Sequence, residues 1–109
     1  MKIIGKDIYK ARANIAKALA HDTRLEIIDI LSKDGDHCVC ELTEILAVSQ
    51  SSVSKHLSIL KKAGIIDSKK EGLNVNYFLR TPCVNSFFQC LDNILKADLE
   101  KRKEQLFGN

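Results

Sequence analysis

Proline occurs once and glycine five times in 109 residues, and no segment is of low complexity. Those scarcities exclude a collagen-like, linker-dominated or disordered chain. No apolar run approaches the roughly 20 residues that a membrane-spanning helix needs. The opening Met1-Lys2-Ile3-Ile4-Gly5-Lys6 turns polar before a signal-like stretch develops. Four cysteines are too few for a small disulfide scaffold. What is present is ordinary globular material, 45% hydrophobic and 28% charged. The expectation is one soluble, cytoplasmic domain over residues 1–109, with no membrane partner. Its cysteines are then thiols, metal ligands or redox switches rather than structural disulfides.

The net charge of +3 is too small to name a partner, but it is unevenly spread. Residues 1–20 carry five basic groups against Asp7, and residues 21–48 carry Arg24 and Lys33 against seven acids. Residues 49–70 carry five lysines against Asp67, and residues 71–109 balance. A basic block behind an acidic one suggests a face meant for an anion. A solvated lysine surface would look the same by charge alone, so the residue pattern has to decide.

Helical spacing dominates the first half. Ile8, Ala11, Ile15, Ala18 and Leu19 stripe a helix over 6–19. After the polar break His21-Asp22-Thr23, the apolar Leu25, Ile27, Ile28, Ile30 and Leu31 predict a buried helix ended by Gly35. Val39, Leu42, Ile45 and Leu46 mark a short third helix. Ala47-Val48-Ser49 is a tight turn, with Ser49 an N-cap for a fourth helix over 50–63 striped by Val53, Leu57 and Leu60. Beyond Gly64 the period becomes two. Ile66, Ser68 and Lys70, then Val75, Tyr77 and Leu79, predict two strands joined at Glu71-Gly72-Leu73-Asn74. Pro82 suits the first position of a last helix, whose stripe runs from Val84 to Leu99.

The expected fold is therefore mainly α with a small antiparallel β-hairpin, a winged helix-turn-helix of about five helices plus wing. The helix-turn-helix occupies 38–63 and the wing 65–80. Apolar stripes on the helices over 6–19 and 82–106 exceed what a small core can cover, which predicts a homodimer through them. Off the core stripe, the fourth helix carries Gln50, Ser51, Ser52, Ser54, Lys55, Ser58, Lys61 and Lys62 with no acid. An ordinary exposed helix mixes Glu with Lys for (i, i+4) pairing. Short hydroxyls, an amide and ammonium groups instead approach phosphates and base edges without repulsion. Lys69 and Lys70 add cations near the wing tip. The pattern points to double-stranded DNA.

Four segments carry a family resemblance: Ala18-Leu19-Ala20-His21-Asp22-Thr23-Arg24-Leu25, Cys38-Val39-Cys40-Glu41-Leu42, Ser49-Gln50-Ser51-Ser52-Val53-Ser54-Lys55-His56-Leu57 and Leu60-Lys61-Lys62-Ala63-Gly64-Ile65-Ile66. With Tyr77-Phe78-Leu79 closing the wing, they resemble the ArsR/SmtB family of winged-helix repressors over about residues 8–95. The family has Asp-Pro-Thr-Arg where this chain has His21-Asp22-Thr23-Arg24. The resemblance implies a homodimer that binds a palindromic operator and lets go when an inducer binds. It also implies base or phosphate contacts from the recognition helix. The DNA-binding candidates are Ser49, Gln50, Ser51, Ser52, Ser54, Lys55, His56, Lys61, Lys69 and Lys70. His56 matches the family's motif position, as either a structural residue or a phosphate donor.

The sensor candidates are Cys38, Cys40, Cys83 and Cys90. Cys38-Val39-Cys40 matches the family's thiolate site, but the family's third cysteine is Thr43 here. The family's carboxylate–histidine site on the last helix is missing, because residues 81–109 contain no His. On an ideal α-helix, residues i and i+2 point about 200° apart. Chelation by Cys38 and Cys40 would then hold their segment in a non-helical form. Cys83 and Cys90 are separated by roughly 10.5 Å of helix rise, so at most one per chain completes a site with metal–sulfur bonds of about 2.3 Å. Either could instead be a buried small apolar residue. Thiolates without imidazole favour soft species, with arsenite or antimonite first and cadmium or lead next. No cofactor is expected for DNA binding itself. Reversible oxidation or persulfide formation stays open, as does a regulator with no small effector. No enzyme is expected, since the three histidines lack an accompanying acid pair or Gly-rich loop.

Overall fold

The computed structural model describes residues 5–107. Helix α1 spans Lys6–Leu19 and α2 spans Asp22–Asp34. A two-residue strand β1, His37–Cys38, runs into α3, Val39–Leu46, and then α4, Gln50–Lys62. Strands β2, Ile66–Glu71, and β3, Asn74–Leu79, precede the long α5, Val84–Phe107. This is the winged helix-turn-helix architecture expected from the sequence, with one addition. The sheet has three antiparallel strands in the order β1-β3-β2 rather than a bare hairpin. β1 pairs His37 with Tyr77 and Cys38 with Asn76. A strand of two residues shows no periodicity, so only its partner reveals it.

Local chemistry sets the boundaries of the recognition unit. Ser49 is the N-cap of α4, its Oγ accepting from the Ser52 amide at 3.2 Å. At the other end the Ile65 amide donates to the Leu60 carbonyl and the Gly64 amide to the Lys61 carbonyl. That pair of bonds is a Schellman closure, and Gly64 supplies the left-handed residue it needs at φ 82°. The helix-turn-helix turn passes through Ala47 at φ 54°, whose amide donates to Thr43 at 3.0 Å. In the wing, Glu71 pairs with Asn74, leaving Gly72-Leu73 as a two-residue hairpin loop.

The core joins α2, α3, α4 and β2. Ile27, Ile28, Leu42, Val53, Leu57, Leu60 and Ile66 are all fully buried. Every apolar stripe position of α4 therefore points inward, which turns its hydroxyl and lysine face to solvent. α5 behaves differently from a core helix. It begins two residues after Pro82, which lies in a turn closed by bonds from Val84 to Thr81 and from Asn85 to Pro82. Of its stripe only Val84 is buried, and Ile94, Leu95 and Leu99 are each at least 60% exposed. The radius of gyration is 17.1 Å, against about 13 Å for a compact chain of this size. α5, roughly 36 Å long, leaves the core behind.

Candidate nucleic-acid interface and thiol site

The start of α4 is exposed and free of negative charge. Its first turn holds no acid, and Gln50, Ser51, Ser54 and Lys55 are exposed. A helix start leaves its first amides without intrahelical acceptors. Ser49 takes the Ser52 amide, so those of Gln50 and Ser51 remain directed out of the helix end, at its positive pole. Ser51 Oγ lies 3.3 Å from Ser49 Oγ, and Ser52 is half-buried under the cap. Lys55, Lys62 and Lys70 have no ion pair among the described residues.

Three expected contacts are otherwise engaged. Lys61 Nζ donates to Ser68 Oγ at 2.7 Å and lies 3.9 Å from Asp67. Lys69 Nζ is 3.2 Å from Asp36 and 3.7 Å from Glu71, and the bonded Asp36 carboxylate raises its pKa. A phosphate reaching either lysine must compete with a carboxylate. His56 is half-buried and faces α2, where an Arg24 terminal nitrogen donates to its Nδ1 at 3.2 Å. The His21 ring packs against it at 4.4 Å between centroids, tilted by 46°. Burial lowers the His56 pKa, and the neighbouring charges of His21 and Arg24 lower it further. The neutral ring accepts at Nδ1, which leaves only Nε2–H to donate outward.

Arg24 is the residue that sequence reasoning undervalued. Besides His56 it donates to the Lys17 carbonyl at 3.4 Å, so one guanidinium ties α1, α2 and α4 together. Its Nε is buried without a partner. An arginine at the acidic head of α2, whose only other base is Lys33 in the last turn, was the available signal. His21 was legible only as part of a polar break; it caps α2, its Nδ1 accepting from the Thr23 amide at 3.1 Å.

The thiols fall into three places. Cys38 is both the last residue of β1 and the N-cap of α3. Its sulfur accepts from the Glu41 amide at 3.4 Å, while its own amide donates to the Glu41 carboxylate at 3.0 Å. This is a capping box with sulfur in the place of a hydroxyl, written in the sequence as Cys38-x-x-Glu41. Cys40 sits in the first turn of α3 and is exposed. The Glu41 amide pulls the Cys38 pKa down, but burial, the Glu41 side chain and the nearby Cys40 thiol together leave it raised. Cys38 is extended, at φ −85° and ψ 168°, so the two thiols straddle the start of a fully formed α3. Cys38 itself is thus non-helical in the structure, and only Cys40 of the pair lies inside α3.

Cys83 lies in the turn before α5, beside Ile15, Leu19 and Phe87, and is exposed. Cys90 is exposed on α5, so neither is the buried core residue that was one sequence reading. All four cysteines are free thiols. No three His, Cys, Asp or Glu side chains come together as a metal-holding group among the described residues. The position of the family's third cysteine is held by Thr43, whose hydroxyl donates to the Val39 carbonyl at 2.7 Å. Two soft thiols at the head of α3 therefore fit a thiophilic ligand in part, and within one protomer no third donor joins them.

Among the described residues no helix is long and apolar enough to cross a membrane. The signature of bacterial regulatory proteins of the ArsR family matches residues 21–68. The chain is 36% identical over 92 residues to the arsenic resistance transcriptional regulator ArsR1 of Pseudomonas putida, covering 84% of this chain and 69% of that one. It is 43% identical over 96 residues to a cadmium resistance regulatory protein CadC homolog of Staphylococcus aureus, covering 88% and 74%. Its fold superposes on the homodimeric winged helix-turn-helix DNA-binding domain Mb0332 of Mycobacterium bovis with a TM-score of 0.73, at 26% identity, over 86% of each chain. With the acid-free face of α4, these similarities give the identification: the chain belongs to the ArsR family, whose members are DNA-binding transcriptional regulators rather than enzymes.

Proposed function

We propose that the protein is a homodimeric repressor that holds a palindromic operator in double-stranded DNA and releases it when a thiophilic species engages Cys38 and Cys40. The observation that carries this reading is the placement of two thiols at the head of α3, Cys38 as its N-cap and Cys40 exposed in its first turn, one helix ahead of the recognition helix. A ligand that takes the Cys38 sulfur competes with its bond from the Glu41 amide and so disturbs the start of α3. α3 supports α4 through the three-residue turn from Ala47 to Ser49. Arsenite or antimonite is the favoured inducer, with cadmium or lead next. The relatives named for arsenic and cadmium resistance support that order of soft ligands. A third sulfur, if one is used, comes from Cys83 or Cys90 of a second copy.

The dimer reading is supported by the bare apolar faces of α1 and α5, where Tyr9, Ile15, Phe87, Ile94, Leu95 and Leu99 are exposed. The homodimeric relative from Mycobacterium bovis carries the same fold. Two copies of α4 related by a two-fold axis call for a palindromic site.

A redox reading is favoured by the placement of two free thiols two residues apart at the head of α3, with Cys40 exposed. Titration of the DNA complex separates the two. Release by arsenite, antimonite, cadmium or lead under strict reduction supports coordination, whereas release only by an oxidant or polysulfide supports redox sensing. Retention of DNA against both panels refutes thiol gating.

A further inference from the structure

The thiol that caps α3 is also stitched into the wing. Cys38 is the sheet partner of Asn76 on β3, and Asn76 is the partner of Lys69 on β2. Directly opposed residues in an antiparallel sheet point to one face, and so do residues two apart on a strand. Cys38, Asn76 and Lys69 thus form a row across the sheet, and the row is closed by acids at its flanks. Asp36, two residues before Cys38, is 3.2 Å from Lys69 Nζ. Glu71, two residues after Lys69, is 3.7 Å from the same atom and accepts from the Asn76 side-chain Nδ2 at 3.2 Å.

We propose that this row is the coupling element between the thiol site and DNA: Asp36 latches the wing cation Lys69 to the segment that carries Cys38, so that occupancy of the thiols alters the wing's hold on a phosphate. The inference rests on the thiol-gated reading and adds its route, through the β1–β3 pairing and the Asp36–Lys69 ion pair as well as through α3. Cys38 cannot shift without moving either the α3 cap or the β1 pairing, because its backbone belongs to both. Lys69 is the wing cation that a carboxylate of the sensor segment neutralises. A phosphate at Lys69 competes with Asp36 and with Glu71, and thiol occupancy that draws the Cys38 segment toward β2 strengthens the Asp36 side of that competition and weakens the hold on DNA.

The test measures operator affinity by fluorescence anisotropy at several salt concentrations, with no inducer and with cadmium(II) or antimonite. The proteins are the full-length wild type, Asp36→Asn, Lys69→Gln and the double variant. Calorimetry on the DNA-free proteins gives the affinity for each probe. Asp36 is exposed, so its amide replacement leaves the fold intact, and Lys69→Gln breaks the latch from the other side. Without inducer, Asp36→Asn is expected to bind DNA up to about fivefold more tightly, the range of an exposed ion pair. Its log–log salt slope steepens by up to about one per protomer, because phosphate then competes for Lys69 with Glu71 alone. Either single variant narrows the inducer-induced loss of affinity, and the double variant narrows it no further. Probe affinity for the DNA-free protein stays at the wild-type value. If both single variants keep the full wild-type release ratio, the latch is overturned while thiol gating stands. If neither probe binds or releases the wild type, thiol gating falls and the latch falls with it.

Discussion

Replacing Ser49 with aspartate separates two roles that the head of α4 combines. The Ser49 hydroxyl caps the helix by accepting from the Ser52 amide at 3.2 Å, and in the proposed function it stands at the end offered to DNA phosphates. Aspartate caps as well as serine and adds favourable charge at the helix N-terminus, worth about 0.3–1 kcal/mol. Folding stability is therefore unchanged or slightly raised in Ser49→Asp. Ser49→Ala loses the cap, at about 1 kcal/mol, which lowers the Tm by roughly 4–8 °C in a domain of this size. DNA affinity runs in the opposite order. A carboxylate facing phosphate costs at least about 1.4 kcal/mol, or tenfold, whereas alanine adds no repulsion. Thermal melts and anisotropy titrations on the three proteins read both quantities. Wild-type affinity in Ser49→Asp, or affinity losses that simply follow stability, would refute the placement of this helix end against DNA.

Leu57 is fully buried at the centre of the α4 stripe, so Leu57→Ala should cost about 2–5 kcal/mol, read from the urea midpoint; a loss below 1 kcal/mol would contradict the packing. His56 is held neutral in the fold, while the unfolded chain takes up its proton near pH 6.5. Its contribution is complete above that pH and is lost as pH falls toward the lowered folded pKa. Stability should therefore decline on acidification below about pH 6.5, with a shallower decline in His56→Gln; equal slopes would oppose this. Leu99 is 64% exposed on α5, so Leu99→Glu should leave protomer unfolding alone but shift sedimentation toward monomer and weaken operator binding. Unchanged mass in that variant would remove the helix from the interface.

The helices and their cores were readable because their information is local. Val53, Leu57 and Leu60 recur at helical spacing, Ser49 and Gly64 supply the chemistry of a start and a stop, and all five behave in the structure as their types require. What escaped sequence reading is long-range. β1 exists only because His37 and Cys38 find Tyr77 and Asn76 across the chain. The engagement of Lys69 by Asp36, and of His56 by Arg24, joins residues 33 and 32 positions apart. No periodicity encodes such pairs, and charge counting treats each lysine as available. The thiol site was half visible: Cys38-Val39-Cys40 could be read, but its extended-then-helical backbone depends on the sheet that anchors Cys38.

The central claim is that the thiols at the head of α3 control release of DNA from α4. The decisive measurement is operator affinity before and after antimonite or cadmium(II) under reducing conditions, for the wild type and for the Cys38→Ser, Cys40→Ser double variant. Serine keeps the N-cap of α3, so the variant should fold and bind DNA like the wild type. Release from the wild type with retention by the variant is the predicted result. Equal release from both proteins would contradict the account.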